Sequence, residues 1–199
     1  MNMMLRIAAP VALALSLSAC LGGLLGGGET PPWLLTLTAQ VPAPEAIART
    51  AGPGEAVTIE LPVVPKEIRV TRVPVHSGPI AIAYVENLTW VDTPDKLFQD
   101  LLTETVTRMT NRVVLDPRQS SLDPGVTVTG NLSRFGFDAQ EGVVVVRYDA
   151  AMTRAGGTAV ATRRFEARET ADGTAATVAP GINAAANRVA MEVAQWVGN

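Results

Sequence analysis

The side chain with the clearest chemical potential is that of Cys20, the only cysteine in the chain. It directly follows the small residues Ser18 and Ala19. Small neighbours leave the sulfur open to a membrane-embedded enzyme that would convert it into a thioether. The spacing therefore indicates covalent modification of Cys20, and the alternative is a cysteine that is there by chance.

The segment ahead of Cys20 has the layout of a secretory signal peptide. Met1 to Arg6 carries one positive charge, and Ile7 to Leu17 is an uncharged apolar run that is too short to span a membrane. The segment resembles a bacterial lipobox, with residues 1–19 as the signal peptide and Cys20 as the lipid-bearing first residue. A plain secretory signal with an incidental cysteine is the alternative.

Residues 20–32 combine the predicted lipid attachment with a glycine-rich tether that ends in two prolines. Each acyl methylene buried in a bilayer is worth about 0.8 kcal/mol, so the N-acyl and S-diacylglycerol groups expected on Cys20 would anchor the chain stably. About ten flexible residues reach roughly 17 Å. By analogy with bacterial lipoproteins, Leu21 favours an outer-membrane anchor that faces the periplasm.

Composition argues against several classes of function. The net charge is −3, and removing residues 1–19, which contain Arg6 as their only charged side chain, leaves −4. A weakly acidic protein is a poor ligand for nucleic acid or for anionic lipid, so membrane association should come from the acyl chains. One histidine and an acylated cysteine do not readily supply a zinc site, and no cofactor or metal is expected.

Other candidate functional residues each have a plainer interpretation. His76, the only histidine, lies in a turn bounded by proline and glycine, and we expect a solvated loop residue rather than a catalytic base. Trp90 could dock a partner, because tryptophan is favoured at interface hot spots, but its position between a strand and a helix favours the core. The sequence lacks the Gly-x-Ser-x-Gly pattern that is typical of many hydrolases, and we predict no catalytic residue.

Alternating apolar and polar residues predict a series of β-strands. They are expected at residues 33–37, 57–61, 66–73, 79–85, 112–115, 126–137, 143–152 and 158–167. Turns at 140–142 and 155–157 join the last three strands, which predicts an antiparallel meander. In the strand at 126–137 the alternation of apolar and polar residues changes phase near Gly130 and at 135–137, which indicates a bulge or twist. Pro62 and Pro74 are expected to end the second and third strands.

Two stretches have helical periodicity. The first begins with Thr93 as the cap and Pro94 in the first turn, and its apolar stripe runs to Met109. The second runs from Ile182 to Val197 and is rich in alanine. An antiparallel, or mixed, β-sheet with two amphipathic helices packed on one face satisfies both periodicities. The predicted fold class is therefore α+β, formed by a single domain over residues 33–199.

Several of these segments together resemble the ABC-type transport auxiliary lipoprotein family, the PqiC-like proteins. The resemblance rests on the lipobox, the Trp33 to Leu37 segment, the stretch from Ile82 to Asp92 that opens a helix, Tyr148-Asp149-Ala150, and the C-terminal Gln195-Trp196-Val197. Most of these residues are structural, and the order of the elements carries the likeness, which covers nearly the whole mature chain.

The resemblance implies a non-enzymatic outer-membrane partner of an MCE-type lipid transport system. In such a system an inner-membrane ABC permease and ATPase energise movement of a phospholipid or sterol-like lipid. The implied partners are an MCE-domain protein, that transporter and, as oligomeric rings, further copies of the chain. The alternative is a stand-alone periplasmic lipoprotein that carries a hydrophobic ligand in its own apolar cavity.

Overall fold

The computed structural model describes residues 33–43, 48–123, 125–154, 157 and 159–199. Within them lie seven strands, two α-helices and one 3-10 helix. Their bounds are β1 (Val57–Ile59), β2 (Arg72–His76), β3 (Ile82–Thr89), α1 (Pro94–Met109), β4 (Val114–Leu115), the 3-10 helix (Pro117–Leu122), β5 (Val126–Asp138), β6 (Val143–Thr153), β7 (Val160–Thr170) and α2 (Ala175–Gly198). Neither described helix combines the length and the apolar character needed to cross a bilayer.

The longest strand, β5, organises the sheet. One of its edges pairs antiparallel with β6, which pairs antiparallel with β7, so the predicted meander is confirmed. The other edge pairs in parallel with β1 near the start of β5 and with β2 near its end. Val63 bridges Asn131 between these two pairings. With β4 beside β1 and β3 beside β2, the sheet is mixed.

Both helices pack on one face of this sheet, which confirms the α+β class. Helix α2 buries most of its predicted stripe against β6 and β7, and only Trp196 is partly buried. The fully buried residues of that stripe are Ile182, Ala185, Ala186, Val189, Val193 and Val197. The small residues let the helix approach closely, and a Cβ on Gly181 would lie 3.3 Å from Val144 Cγ2. Beneath α1, the ring of Phe98 packs edge-on against Phe135 and Tyr148.

Helix α1 has the predicted bounds. Thr93 is the N-cap and Pro94 opens the first turn, but the Thr93 side chain makes no capping hydrogen bond. Instead, the Thr93 backbone N–H donates to Asp92 Oδ1 at 2.7 Å. The predicted stripe is buried up to Val106, whereas Met109 is partly exposed at the last turn.

The prediction for β2 was wrong in its position. Residues 65–71 form turns and bends, and β2 begins at Arg72 and continues through Pro74. Proline removes a ladder hydrogen bond, and a strand tolerates it best at an irregularity. The register between β2 and β3 shifts between Arg72 and Pro74, which provides such a place.

The N-terminal prediction of a strand at residues 33–37 was also wrong. Only Leu35 forms a bridge, to Trp90, and the chain then runs on as an extended segment outside the sheet. We call residues 35–41 the strap.

Helix α2 begins at Ala175, more than a turn before Ile182, where the prediction had placed its start, and it contains Pro180. The bulge predicted in β5 occurs between Leu132 and Arg134, between the two slips in the pattern.

Candidate docking surfaces

The predicted lipid-attachment residue, Cys20, lies outside the described residues, as do the predicted signal peptide and the whole predicted tether. Acylation of Cys20 therefore stays a prediction. The described chain begins at Trp33, immediately after the two prolines that end the tether.

Trp90 belongs to the core. Its side chain is 2% exposed, and its ring lies 5.7 Å from that of Phe135 at an angle of 49°. The position agrees with the core interpretation of this residue. In this structure the indole offers no surface to a partner.

His76 lies at the end of β2, so its assignment to a loop was wrong. It pairs with Ile82 of β3 on one side and with Asp138 of β5 on the other, which places it inside the sheet. Partial burial, followed by the charge of Arg134, lowers the pKa of the imidazole. Its Nε2 is buried and has no hydrogen-bond partner among the described residues.

The described residues contain no group of three or more His, Cys, Asp or Glu side chains placed to hold a metal ion. His76 lies at a strand end between Ile82 and Asp138, and the Asp138 carboxylate is already paired with Arg134 at 2.9 Å. The environment of His76 is that of a structural residue.

Two asparagines of α2 fasten the strap to the helix layer. The Thr38 N–H donates to Asn183 Oδ1 at 2.9 Å, and the Gln40 N–H donates to Asn187 Oδ1 at 2.7 Å. Asn187 Nδ2 donates to the Thr38 carbonyl at 2.9 Å and to the Asn183 carbonyl at 2.8 Å. These side chains supply the hydrogen bonds that a neighbouring strand would otherwise give, so the segment stays extended.

The face of the β5–β6–β7 meander that points away from the helices is covered with paired charges. Side chains alternate along a strand, so Arg147 and Asp149 of β6 lie opposite the buried Val146, Tyr148 and Ala150. We call the following five residues the ionic ladder: Arg147, Asp149, Arg164, Glu166 and Arg168. Unlike charges stand directly across from each other on β6 and β7.

Hydrogen bonds hold the ladder carboxylates in their charged form. Asp149 accepts from Arg164 and from Ser133 Oγ, and the Arg164 bond is the main reason that the pKa of Asp149 is lowered. Partial burial raises the pKa of Glu166, but bonds from Arg147 and Arg168 outweigh it and bring the pKa below its usual value. The face therefore presents fixed, mutually compensated charges at neutral pH.

A cleft of about 690 Å³ opens where both helices end. Its lining is largely polar and comprises Thr50, Ala51, Glu55, Met109, Thr110, Asn111, Arg112, Val113, Ala194, Gln195, Gly198 and Asn199. Pockets for apolar ligands are lined mainly by hydrophobic and aromatic side chains. The composition of this cleft does not suit an acyl chain.

The sequence analysis predicted neither the ionic ladder nor the pair of asparagines, Asn183 and Asn187, that holds the strap. We call this pair the asparagine clamp. Asn183 and Asn187 are four residues apart in an alanine-rich helix, and Asn187 falls inside its buried apolar stripe. A polar residue on a buried face requires a partner, which is the signal that could have identified it. The alternation of arginine with acidic residues in β6 and β7 likewise indicated a charged sheet face.

Solved structures share this fold. Protein XCC0632 from Xanthomonas campestris, assigned to the DUF330 family, aligns with a TM-score of 0.66 at 16% identity, over 83% of this chain and 95% of its own. An uncharacterised protein aligns with a TM-score of 0.55 at 15% identity, over 75% of this chain and 92% of its own. At such identities the likeness extends to the fold alone.

No curated protein matches the chain. The family model described as the ABC-type transport auxiliary lipoprotein component matches residues 35–194, which span the strap, the complete sheet, α1 and nearly all of α2. The match thus covers the elements that form the core, the asparagine clamp and the ionic ladder. The chain belongs to the ABC-type transport auxiliary lipoprotein family.

Proposed function

We propose that this protein is an outer-membrane-anchored periplasmic lipoprotein that acts as an auxiliary, non-catalytic component of an MCE/ABC-type lipid transport system. The family match over residues 35–194 is the observation that carries the transport role. In this proposal Cys20 holds the anchor, residues 21–32 provide slack, and the folded domain docks an MCE-domain protein of the envelope-spanning assembly. The inner-membrane permease and ATPase supply the energy.

The packing of the interior supports docking over carriage. The space between α2 and the sheet is occupied by the protein's own side chains, with Ile182, Val189 and Val193 fully buried. Aromatic rings fill the space beneath α1. A carrier of lipid needs an apolar cavity, whereas the cleft at the helix ends is lined mainly by polar groups.

The helix-free face of the meander is the docking surface that we favour. Its charges are fixed by their neighbours, so a partner with the complementary pattern would meet a preorganised surface. Complementary charge patterns give specificity and faster association more than raw affinity. That property suits a component that must recognise one assembly in the periplasm.

The experiment is site-specific photo-crosslinking in cells, followed by purification and mass spectrometry. A crosslinker at the exposed Thr162, on the ladder side of β7, is expected to capture an MCE-domain protein. The same crosslinker at the exposed Glu104 of α1 serves as the matched control and is expected to capture little. Cys20→Ala should lose acyl labelling and membrane association, and with them the capture.

Three results would change the proposal. Capture of an MCE-domain protein only from position 104 would retain the transport role and move docking to the helix layer. Recovery of no transport component, together with stoichiometric lipid in the purified anchor-free domain, would favour the carrier. Full membrane association of Cys20→Ala would overturn the anchor.

A further inference from the structure

An exposed apolar cluster lies where the described chain begins. Trp33, Leu34 and Val91 are 65%, 52% and 54% exposed. The Leu35 N–H donates to the Thr89 carbonyl at 2.8 Å, and the Val91 N–H donates to the Leu35 carbonyl at 2.8 Å, so these two segments lie side by side. We call Trp33, Leu34 and Val91 the Trp33 patch.

The bridge between the two segments explains why this patch faces outward. Leu35 and Trp90 are direct partners, and Trp90 is buried while Leu35 packs against the core. Side chains alternate along extended chain, so Leu34 and Val91, the neighbours of these residues, are left on the opposite side. The bridge therefore fixes the outward direction of Leu34 and Val91, and the exposed Trp33 directly precedes Leu34 in the chain.

Charges around the patch are compatible with a phospholipid surface. Arg72 pairs with Thr89 in the sheet and is exposed, and its guanidinium lies 3.8 Å from the centre of the Tyr84 ring. Asp92, beside Val91, forms an ion pair with Lys96 at 3.4 Å. The acidic group beside the patch is therefore compensated by Lys96, and the Arg72 guanidinium is held over the Tyr84 ring.

We propose that the Trp33 patch contacts the phospholipid surface in which the chain is anchored, and so fixes which end of the domain faces the membrane. This inference rests on the proposed anchoring through Cys20. Only twelve residues, 21–32, separate Cys20 from Trp33, and a glycine-rich chain of that length has an r.m.s. reach of about 20 Å. Such a tether keeps the patch at high effective concentration near the bilayer, and tryptophan prefers the interfacial region.

The other end of β3 would then point away from the bilayer. Ile80, 97% exposed, lies before the start of β3 at Ile82, whereas Val91 lies just beyond its end at Thr89. Both positions are apolar and exposed, so burial of apolar area alone does not distinguish them. The position of the tether distinguishes the two ends, because the tether joins the domain at Trp33.

Tryptophan fluorescence of the full acylated chain tests the inference. The chain is reconstituted in phosphatidylethanolamine vesicles that contain a minor fraction of phosphatidylglycerol, with ordinary or brominated acyl chains. We expect the brominated lipid to quench the emission of Trp33, and the vesicles to shift that emission to the blue. Trp33→Phe, which leaves the buried Trp90 and the half-buried Trp196, should lose this quenched component.

The matched control is Ile80→Trp in the Trp33→Phe background, whose introduced indole should escape quenching. Leu34→Glu and Val91→Glu, both at exposed positions, should weaken the quenching of Trp33 without preventing flotation with the vesicles. Flotation without quenching of Trp33, or equal quenching at positions 33 and 80, would overturn the patch while leaving the anchor intact. Failure of the acylated chain to float would overturn the anchoring and this inference with it.

Discussion

At the scale of single residues, Asn187 has the most consequential environment in the described structure. It is fully buried in a helix stripe that is otherwise apolar, and it joins the strap to α2 through both its oxygen and its nitrogen. Burial of an amide is costly unless its donors and acceptors are paired, and here they are. The strap is thus held on the helices by the side chain of Asn187 together with that of Asn183, in addition to its own apolar contacts with the core.

Replacing Asn187 by alanine should release the strap. We expect a loss of about 1–3 kcal/mol in the free energy of unfolding, because the Gln40 N–H and the Thr38 carbonyl lose their partner. Hydrogen exchange should accelerate at the Gln40 amide more than at the Thr38 amide, which bonds to Asn183. Asn183→Ala is the matched control and should reverse that order. Equal exchange at both amides in both variants would contradict the clamp.

Asp172 titrates unusually for an exposed carboxylate. Hydrogen bonds from the Thr177 and Thr174 hydroxyls, and from the Thr174 N–H, lower its pKa to about 2 from 3.8. A depressed pKa in the folded state stabilises the protein above pH 3.8, and that contribution is lost as the pH falls toward 2. Thr177→Val should raise the Asp172 pKa toward 3.8, and titration of its carboxyl carbon by NMR would measure it. An unchanged midpoint in this variant would contradict the assignment.

At the scale of elements, the contact between β2 and β5 depends on the absence of a side chain. A Cβ on Gly136 would lie 2.3 Å from the Pro74 carbonyl oxygen and 2.9 Å from its Cγ. These atoms belong to backbone and a rigid ring, so they cannot move aside without displacing the strand. The close approach of β2 to β5 at this point therefore requires glycine at position 136.

Gly136→Ala should consequently destabilise the fold by about 1–3 kcal/mol, the usual cost of overpacking. Gly198→Ala is the matched control, because its Cβ would meet only Thr110 Cγ2 at an ordinary 3.4 Å. Denaturant unfolding of both variants measures the difference. Similar unfolding midpoints for the two variants would show that β2 shifts easily to admit the added methyl group, and would contradict this explanation.

The elements differ in how far sequence alone determined them. The α1 bounds and the meander are encoded locally, by a proline and a stripe in one case and by alternation with glycine turns in the other. The position of β2 and the extended strap depend on distant partners, Gly136 and Asn187. A local pattern cannot report such partners: the 33–37 alternation predicts a strand, but only Leu35 forms a bridge, to Trp90. The next backbone N–H groups that bond, those of Thr38 and Gln40, donate to asparagine side chains instead of a neighbouring strand.

At the scale of the whole molecule, the two faces of the sheet carry different tasks. One face and its helices bury the apolar residues, and the other shows fixed charges that cost little to maintain in water. Sequence could predict the first face from periodicity. The alternation of charges in β6 and β7 indicates that the second face is charged, but it does not predict the pairs, because the pairing of Asp149 with Arg164 requires the register of β6 against β7.

That division allows stability to be separated from docking. Arg164→Glu would place an acidic residue opposite Asp149, yet the Arg164 side chain is 63% exposed, so the loss of folding free energy should stay below about 1 kcal/mol. Capture of the partner from position 162 should fall markedly, because the preorganised charge pattern is broken. Lys66→Glu changes the net charge equally at an exposed position outside the ladder and should leave capture intact. If both variants reduce capture alike, the effect is one of net charge, and the ladder is a solvated surface rather than a recognition surface.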